Sequence, residues 1–172
     1  LAHPVRPSSY IEISNFYTTT IYEKGAEVVG MYRTLLGDDK FRQGTDLYFD
    51  RHDGQAATTD DFMQAMSEAG NVDLSQFERW YEQAGTPELR VTEDYQDGVL
   101  TLAIEQSCPA TPGQEQKAPF HMPVLLGLLD AAGAEIAISD GQVSSDAQTQ
   151  LRDKGRTVLL ELRDKITQLV IS

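Results

Sequence analysis

The hydrophobic and polar positions divide the chain into two segments with different periodicities. From Glu23 to about Gln83 the apolar residues recur at the spacing of helices that bury one face, whereas from Leu89 onward short β-branched and leucine-rich runs alternate with turn residues. The change falls near Gly85-Thr86-Pro87, where proline prevents a helix from continuing. The pattern therefore predicts an α+β chain of two segments, residues 1–87 and 88–172.

The first segment is predicted to be helical after an irregular opening over residues 1–22. Its four helices are expected over about 23–36, 38–51, 58–70 and 74–83. The third has the clearest start, because Thr58 or Thr59 can cap it while Asp60 and Asp61 suit the positive end of the helix. The expected buried side chains are Val28, Met31, Tyr32, Leu35, Phe41, Leu47, Tyr48, Phe62, Met63, Met66, Phe77, Trp80 and Tyr81.

The second segment is predicted to be a small antiparallel β-sandwich. Strands are expected over about 89–93, 99–106, 121–129, 134–139, 156–162 and 166–171, with a polar loop over 109–119. Asp97-Gly98 is a strong signal for a tight hairpin turn between the first two strands. Short strands separated by turns favour an antiparallel sandwich.

Charge and cysteine content exclude several classes of partner and site. The chain carries 14 Lys and Arg residues against 27 Asp and Glu residues, a net charge of −13 at pH 7. Nucleic acids and anionic membranes are bound largely by basic side chains, so we expect neither as a partner. Cys108 is the single cysteine, which excludes an internal disulfide and a zinc site built from several cysteines.

Motifs that would carry complete chemistry are absent from the sequence. It has no His-Glu-x-x-His, Cys-x-x-Cys, P-loop or Gly-x-Ser-x-Gly pattern. His3, His52 and His121 lie far apart, and none stands one helical turn from another metal ligand. A metal site assembled from this chain alone is therefore not expected.

One tyrosine lies at a position from which its side chain could take part in catalysis. Tyr22 falls at the predicted junction between the irregular opening and the first helix, from which a side chain can point into a cleft. A phenol there can donate a hydrogen bond to an oxyanion while it keeps its own proton. From residue type alone a buried structural tyrosine is the better interpretation, and Glu23 and Lys24 are expected to cap and solvate the helix start.

An ordered series of short segments resembles the zinc aminopeptidases of the aminopeptidase N type, and bacterial members most closely. The matching segments are Tyr22-Glu23-Lys24-Gly25, Ala2-His3-Pro4-Val5-Arg6-Pro7, Leu35-Leu36-Gly37, Tyr48-Phe49, Arg51-His52-Asp53-Gly54, Asp60-Asp61-Phe62, Trp80-Tyr81 and Gly85-Thr86-Pro87. The resemblance is strong to about residue 138 and weaker beyond. It implies the helical C-terminal part of a thermolysin-like catalytic domain, followed by a small Ig-like β-sandwich.

The resemblance also implies roles for two tyrosines. The family tyrosine that begins Tyr-Glu-Lys-Gly stabilises the tetrahedral oxyanion, and Tyr22 occupies that position here. Tyr17 matches a second family tyrosine near the site, although a packing role fits it equally well. The family's His-Glu-x-x-His, its further glutamate ligand and its amine-reading Gly-x-Met-Glu-Asn segment have no counterpart in this sequence.

We therefore expect a piece of a bacterial, cytoplasmic zinc aminopeptidase that acts on peptides. The zinc ligands and the general base would lie elsewhere in the same polypeptide, so the piece alone is expected to be inactive. Uncovered apolar patches are expected to cause concentration-dependent self-association. The alternative is a non-catalytic module that braces a larger protein, and a stand-alone four-helix binding module is a third, less favoured hypothesis.

Overall fold

The computed structural model describes residues 3–172, so Leu1 and Ala2, which belong to the predicted opening loop and to one matching segment, lie outside the described residues. Two compact units are present. The first runs up to Gly85 and includes Ala110–Gln116, and the second comprises Thr86–Pro109 and Lys117–Ser172. Across residues 3–172, no helix has both the length and the apolar character needed to cross a bilayer.

The first unit is built from helices, as predicted. Its α-helices are α1 Gly25–Leu36, α2 Asp38–His52, α3 Thr59–Gly70 and α4 Arg79–Glu82, with 3-10 helices at Ile13–Phe16 and Ser75–Glu78 and a π-helix at Thr20–Lys24. The predicted cap of α3 is confirmed, because the Thr58 hydroxyl accepts the N–H of Asp61 while the Asp61 carboxylate accepts the N–H of Thr58. Gly37 ends α1 with a positive φ, also as predicted.

The structure differs from the predicted helices at two places. The opening is not irregular throughout, because Ile13–Phe16 forms a 3-10 turn and the helical chain already begins at Thr20. The predicted fourth helix is divided into a 3-10 helix and the short α4. The Asp73 carboxylate accepts the N–H of Ser75, a local bond that favours a tight turn at this start.

An aromatic cluster around Tyr32 holds this unit together. Tyr32 is fully buried, its ring centroid lies 4.4 Å from that of Phe77 and 5.6 Å from that of Phe62, and its hydroxyl accepts a hydrogen bond from Tyr81. Burial is the main cause that raises the pKa of Tyr32. The predicted apolar stripes of α1, α3 and α4 therefore meet in one core.

Helix α2 packs against α3 through a glycine and not through large apolar side chains. Gly44 is the only buried residue of α2, whereas Phe41, Leu47 and Tyr48 are half-buried. A Cβ atom at Gly44 would lie 2.6 Å from the sulfur of Met66 on α3. The absence of a side chain at this position thus allows the two helices to approach.

The second unit is an antiparallel β-sandwich, which confirms the predicted class. Its strands are β1 Glu88–Gln96, β2 Val99–Ser107, β3 Met122–Leu126, β4 Leu128–Leu129, β5 Glu135–Ile136, β6 Val143–Ser145, β7 Gln148–Arg152, β8 Thr157–Leu162 and β9 Ile166–Ile171. They form a four-stranded sheet in the order β1-β2-β9-β6, a three-stranded sheet in the order β3-β8-β7 and the small pair β4-β5. Asp97 and Gly98 both have positive φ at the predicted hairpin turn.

The core of the sandwich lies between its two larger sheets. Leu102 and Ile104 of β2 and Leu169 of β9 pack with Val158 and Leu160 of β8. Sequence patterning missed β6 and β7, because their polar side chains show no apolar alternation. The predicted strand 134–139 is shorter in the structure, and 121–129 is interrupted at Gly127.

A pair of glycine substitutions tests the approach of α2 and α3. Gly44→Ala is expected to destabilise the unit by about 1–3 kcal/mol, because the added methyl group overpacks against Met66. Gly30→Ala is the control, since Gly30 is an exposed α1 residue with no atom within 4 Å of an added Cβ. It should stabilise the unit by about 0.5–1 kcal/mol through helix propensity. Denaturant unfolding of both variants measures the difference, and equal effects would contradict the proposed packing.

Candidate functional site

The candidate tyrosine lies on the π-helix Thr20–Lys24 that precedes α1. Tyr22 is 59% exposed, so its phenol is available to a ligand and is not the buried structural side chain that residue type alone favours. It lies inside the first helical turn and not at the junction where the sequence places it. Single turns of π-helix are rare and are frequently found at functional sites.

Tyr17 lies beside Tyr22. Their ring centroids are 6.3 Å apart with an interplanar angle of 25°, which is a stacked arrangement, and Tyr17 is 69% exposed. Stacking of this kind restricts the directions that an exposed ring can take. The structure thus brings together the two tyrosines that the sequence singles out, and both face solvent.

Thr18 fixes the start of the turn that carries Tyr22. Its backbone carbonyl accepts the N–H groups of Ile21 and Tyr22, each at 3.1 Å. Its hydroxyl accepts the N–H of Ile21 at 3.3 Å and lies 3.0 Å from His3 Nε2. His3 Nδ1 lies 2.8 Å from the carbonyl oxygen of Pro4, which can only accept, so the proton belongs on Nδ1 and Nε2 accepts from the Thr18 hydroxyl.

Lys24 fixes the other end of the turn. Its ammonium group donates to the carbonyl oxygens of Gln83 at 3.3 Å and Gly85 at 2.8 Å, and it lies 6.0 Å from the centroid of the Trp80 ring. Hydrogen bonds from a charged donor are stronger than neutral ones, and the ring face adds a cation–π attraction. The expected role of Lys24 as a solvated helix-start residue is wrong, because these partners are distant in sequence and no spacing rule reveals them.

Arg6 anchors the segment that precedes the turn. Its guanidinium donates to the carboxylates of Asp60, Glu78 and Glu82 at 2.5, 3.0 and 3.2 Å, and its backbone N–H donates to the carbonyl of Tyr81. Burial by itself lowers the pKa of Arg6, but the hydrogen bonds and charges of these carboxylates outweigh it and raise the pKa above its ordinary value. One cation therefore joins the opening segment to the start of α3 and to the α4 region.

The described residues do not offer a donor set for a metal ion. Within residues 3–172, no three His, Cys, Asp or Glu side chains are grouped closely enough to hold one. His3 is bonded to Thr18, His52 lies against the ring of Tyr48, and His121 is buried 2.9 Å from the Glu161 carboxylate. The arrangement can present and orient two phenols.

Two known families match the chain in succession. The peptidase family M1 domain matches residues 2–81, which include both tyrosines. A domain of unknown function with an Ig-like fold, DUF3458, matches residues 85–170, which contain all nine strands except the last residue of β9.

Individual proteins resemble the chain over most of its length. Aminopeptidase N of Escherichia coli is 54% identical over 82% of the chain, and aminopeptidase N of Caulobacter vibrioides is 49% identical over 91% of it. The crystal structure of Legionella pneumophila aminopeptidase A in complex with aspartic acid superposes over 99% of the chain with a TM-score of 0.75 and 25% identity. The chain spans only 16–17% of the length of these relatives.

A conservative pair of variants tests whether Thr18 holds the turn. Thr18→Val removes the hydroxyl that accepts the Ile21 N–H, so amide hydrogen exchange at Ile21 and Tyr22 should become about threefold to tenfold faster, as expected for one lost net hydrogen bond. Thr18→Ser keeps the hydroxyl and should exchange at nearly the original rate. Unchanged protection in Thr18→Val would show that the hydroxyl does not hold this turn.

Proposed function

Because the chain belongs to peptidase family M1, we propose that the longer protein of which it forms part is a zinc-dependent aminopeptidase that hydrolyses N-terminal residues from peptides. In this proposal residues 1–87 are the helical end of the catalytic domain and residues 88–172 are an Ig-like domain. The proposed location is the bacterial cytoplasm. Relatives named aminopeptidase N in several bacteria support the proposal.

The observation that carries the proposal is the exposed Tyr22 phenol on a turn whose backbone is held at both ends. When a peptide carbonyl is attacked, negative charge develops on its oxygen. A phenol that is already in position can donate a hydrogen bond to this oxygen, and the bond strengthens as the charge grows. The turn supplies the required preorganisation, because Thr18 and Lys24 hold its ends and the phenol need not be ordered at the moment of reaction.

Tyr17 is proposed as a neighbour that orients Tyr22. Its stacked ring limits the motion of the Tyr22 side chain, which otherwise has more than half of its surface in solvent. The water-activating base, the zinc ion and the group that reads the substrate amine are assigned to the remainder of the polypeptide. The described residues are given no part in holding the zinc ion, because no three of their His, Cys, Asp or Glu side chains are grouped closely enough.

For residues 88–172 we propose a structural role. The core between the two sheets is apolar, with Leu102, Leu160 and Leu169 fully or nearly fully buried. Its buried His121 lies 2.9 Å from the Glu161 carboxylate, within the sandwich. Burial by itself raises the pKa of Glu161, and the hydrogen bonds and charges of its neighbours His121 and Arg163 outweigh it, so the pKa lies below its ordinary value. We assign this contact to the structure of the sandwich and propose no catalytic role for it.

Removal of the Tyr22 hydroxyl tests its role in the longer protein. Tyr22→Phe should lower kcat about 10²-fold or more, the cost of losing one oxyanion donor, while zinc content stays unchanged. Tyr10→Phe is the matched control, because it removes another exposed hydroxyl from the same segment. Steady-state kinetics and metal analysis of both variants measure the effect, and near-normal turnover by Tyr22→Phe would exclude the oxyanion role.

The 172-residue chain by itself is expected to be inactive. Purified from a zinc-containing medium, it should carry no stoichiometric zinc and should not hydrolyse an N-terminal aminoacyl amide, since the metal ligands and the base are assigned elsewhere. Metal analysis gives a readout that does not depend on activity. Stoichiometric zinc together with hydrolysis would contradict the assignment.

A further inference from the structure

The loop between β2 and β3 contributes a glutamine, Gln114, to the first unit. Ala110–Gln116 belongs to that unit, although the strands before and after it belong to the sandwich. The backbone N–H groups of Thr111 and Gln114 each donate to the carbonyl oxygen of the other residue, at 3.1 and 2.9 Å. Pro112 and Gly113 form the turn between them, and Gly113 has the positive φ of 76° that such a turn needs. The backbone of Gln114 is thus held within its own loop.

The side-chain amide of Gln114 binds the backbone of residues 82–85, the connecting segment. Its Oε1 accepts the N–H of Ala84 at 2.8 Å, and its Nε2 donates to the carbonyl oxygen of Glu82 at 2.8 Å. The two bonds flank Gln83, as the bonds from a neighbouring strand do in a parallel sheet. Ala84 is 1% exposed, so its N–H depends on acceptors within the protein. Gln114 therefore fixes the connecting segment at two successive peptide groups.

Lys24 binds the opposite side of the connecting segment. Gln83 is extended, with φ −87° and ψ 124°, so the peptide groups before and after it point in opposite directions. The Glu82 carbonyl and the Ala84 N–H face Gln114. The Gln83 carbonyl points the other way and accepts a hydrogen bond from the Lys24 ammonium at 3.3 Å. The connecting segment therefore lies between the two side chains and is bonded to both.

The bonds of Lys24 carry the position of the connecting segment to Tyr22. Lys24 is the last residue of the π-helix that holds Tyr22, and its ammonium binds two carbonyls of the connecting segment. If that segment moves, the end of the π-helix loses its fixed partners, and the direction of the phenol changes with it. A misplacement of about 1 Å at a reacting group can cost about 10²-fold in rate. A bond that holds the connecting segment can therefore affect catalysis.

We propose that Gln114 is a positioning residue for Tyr22, which it holds in place through the connecting segment and Lys24. This inference rests on the oxyanion role proposed for Tyr22. Gln114 takes no step in the chemistry, since its part is to hold the backbone that Lys24 binds. It lies within the residues that match the Ig-like family model. Residues 88–172 thus contribute to the geometry of the catalytic unit in addition to their structural role.

A double-mutant cycle in the longer protein distinguishes positioning of Tyr22 from general bracing. Gln114→Met removes both bonds at nearly constant side-chain length, so kcat should fall about threefold to tenfold, the range for one lost net hydrogen bond. KM should change by less than about twofold, because the phenol acts on charge that develops after substrate has bound. In the Tyr22→Phe background the same substitution should change kcat by less than about twofold, since no hydroxyl remains to be misplaced.

A matched control and a second readout accompany the cycle. Gln55→Met is the control, because the Gln55 side chain also donates to a backbone carbonyl of the helical unit, that of Arg51, outside the connecting segment. It should leave kcat unchanged. Amide hydrogen exchange of residues 18–24, measured by mass spectrometry, does not depend on turnover. Exchange there should be faster in Gln114→Met and unchanged in Gln55→Met, because only the first variant releases the connecting segment.

The outcomes separate this inference from the proposed function. A fall in kcat that disappears in the Tyr22→Phe background, together with faster exchange, supports the inference. An equal fall in both backgrounds, an undiminished kcat or unchanged exchange in Gln114→Met would overturn it, while the loss of turnover in Tyr22→Phe itself would still support the oxyanion role. Near-normal turnover by Tyr22→Phe would overturn both.

A second variant covers the case in which Gln114→Met does not fold. Gln114→Glu keeps the oxygen that accepts the Ala84 N–H and replaces only the group that donates to Glu82. The same cycle is then measured with this variant. A fall in kcat that is confined to the background with Tyr22 supports the inference, and an equal fall or no fall in both backgrounds overturns it.

Discussion

An exposed side chain that must act at a defined point has to be held through its backbone. Tyr22, for which such a role is proposed, has 59% of its surface in solvent, so the stacked ring of Tyr17 restrains the phenol only in part. The constraint is met by hydrogen bonds at the two ends of a five-residue π-helix. Before it the Thr18 carbonyl accepts the N–H groups of Ile21 and Tyr22, and at its end the Lys24 ammonium donates to carbonyl groups elsewhere in the helical unit. The α4 region in particular provides the carbonyls of Gln83 and Gly85.

Some of the many acidic side chains of this chain have a structural role in the helical unit. The chain has nearly twice as many acidic as basic side chains, and Arg6 binds three carboxylates that lie far from it in sequence. Exposed ion pairs contribute little singly, but a single cation shared among several carboxylates is a network and is half-buried here. Arg6 thereby orders the opening segment, and His3 in that segment can then reach Thr18.

The strands of the sandwich contribute unequally to its buried core. The sheet that contains β1 has one strand more than the sheet that faces it, and the core cluster draws on β2, β8 and β9. No residue of β1 belongs to this cluster or to the side chains packed against it.

Part of this protein follows from the sequence alone. Periodicity determined the four helical regions and the change to strands, because a buried stripe imposes its spacing whatever it packs against. Turn chemistry determined the Asp97-Gly98 hairpin and the Thr58 cap, since those conformations depend on the residues themselves. The resemblance of the sequence to the aminopeptidases singles out Tyr22 and Tyr17.

Tertiary structure alone decided the rest. The π-helix depends on the contact of Thr18 with His3 and on the bonds from Lys24 to Gln83 and Gly85, none of which local propensity reveals. The polar strands β6 and β7 exist because β9 and β8 offer them backbone partners, and their own side chains carry no signal. In each case the deciding contact joins residues far apart in the chain. The residue types near either partner therefore do not reveal its energy.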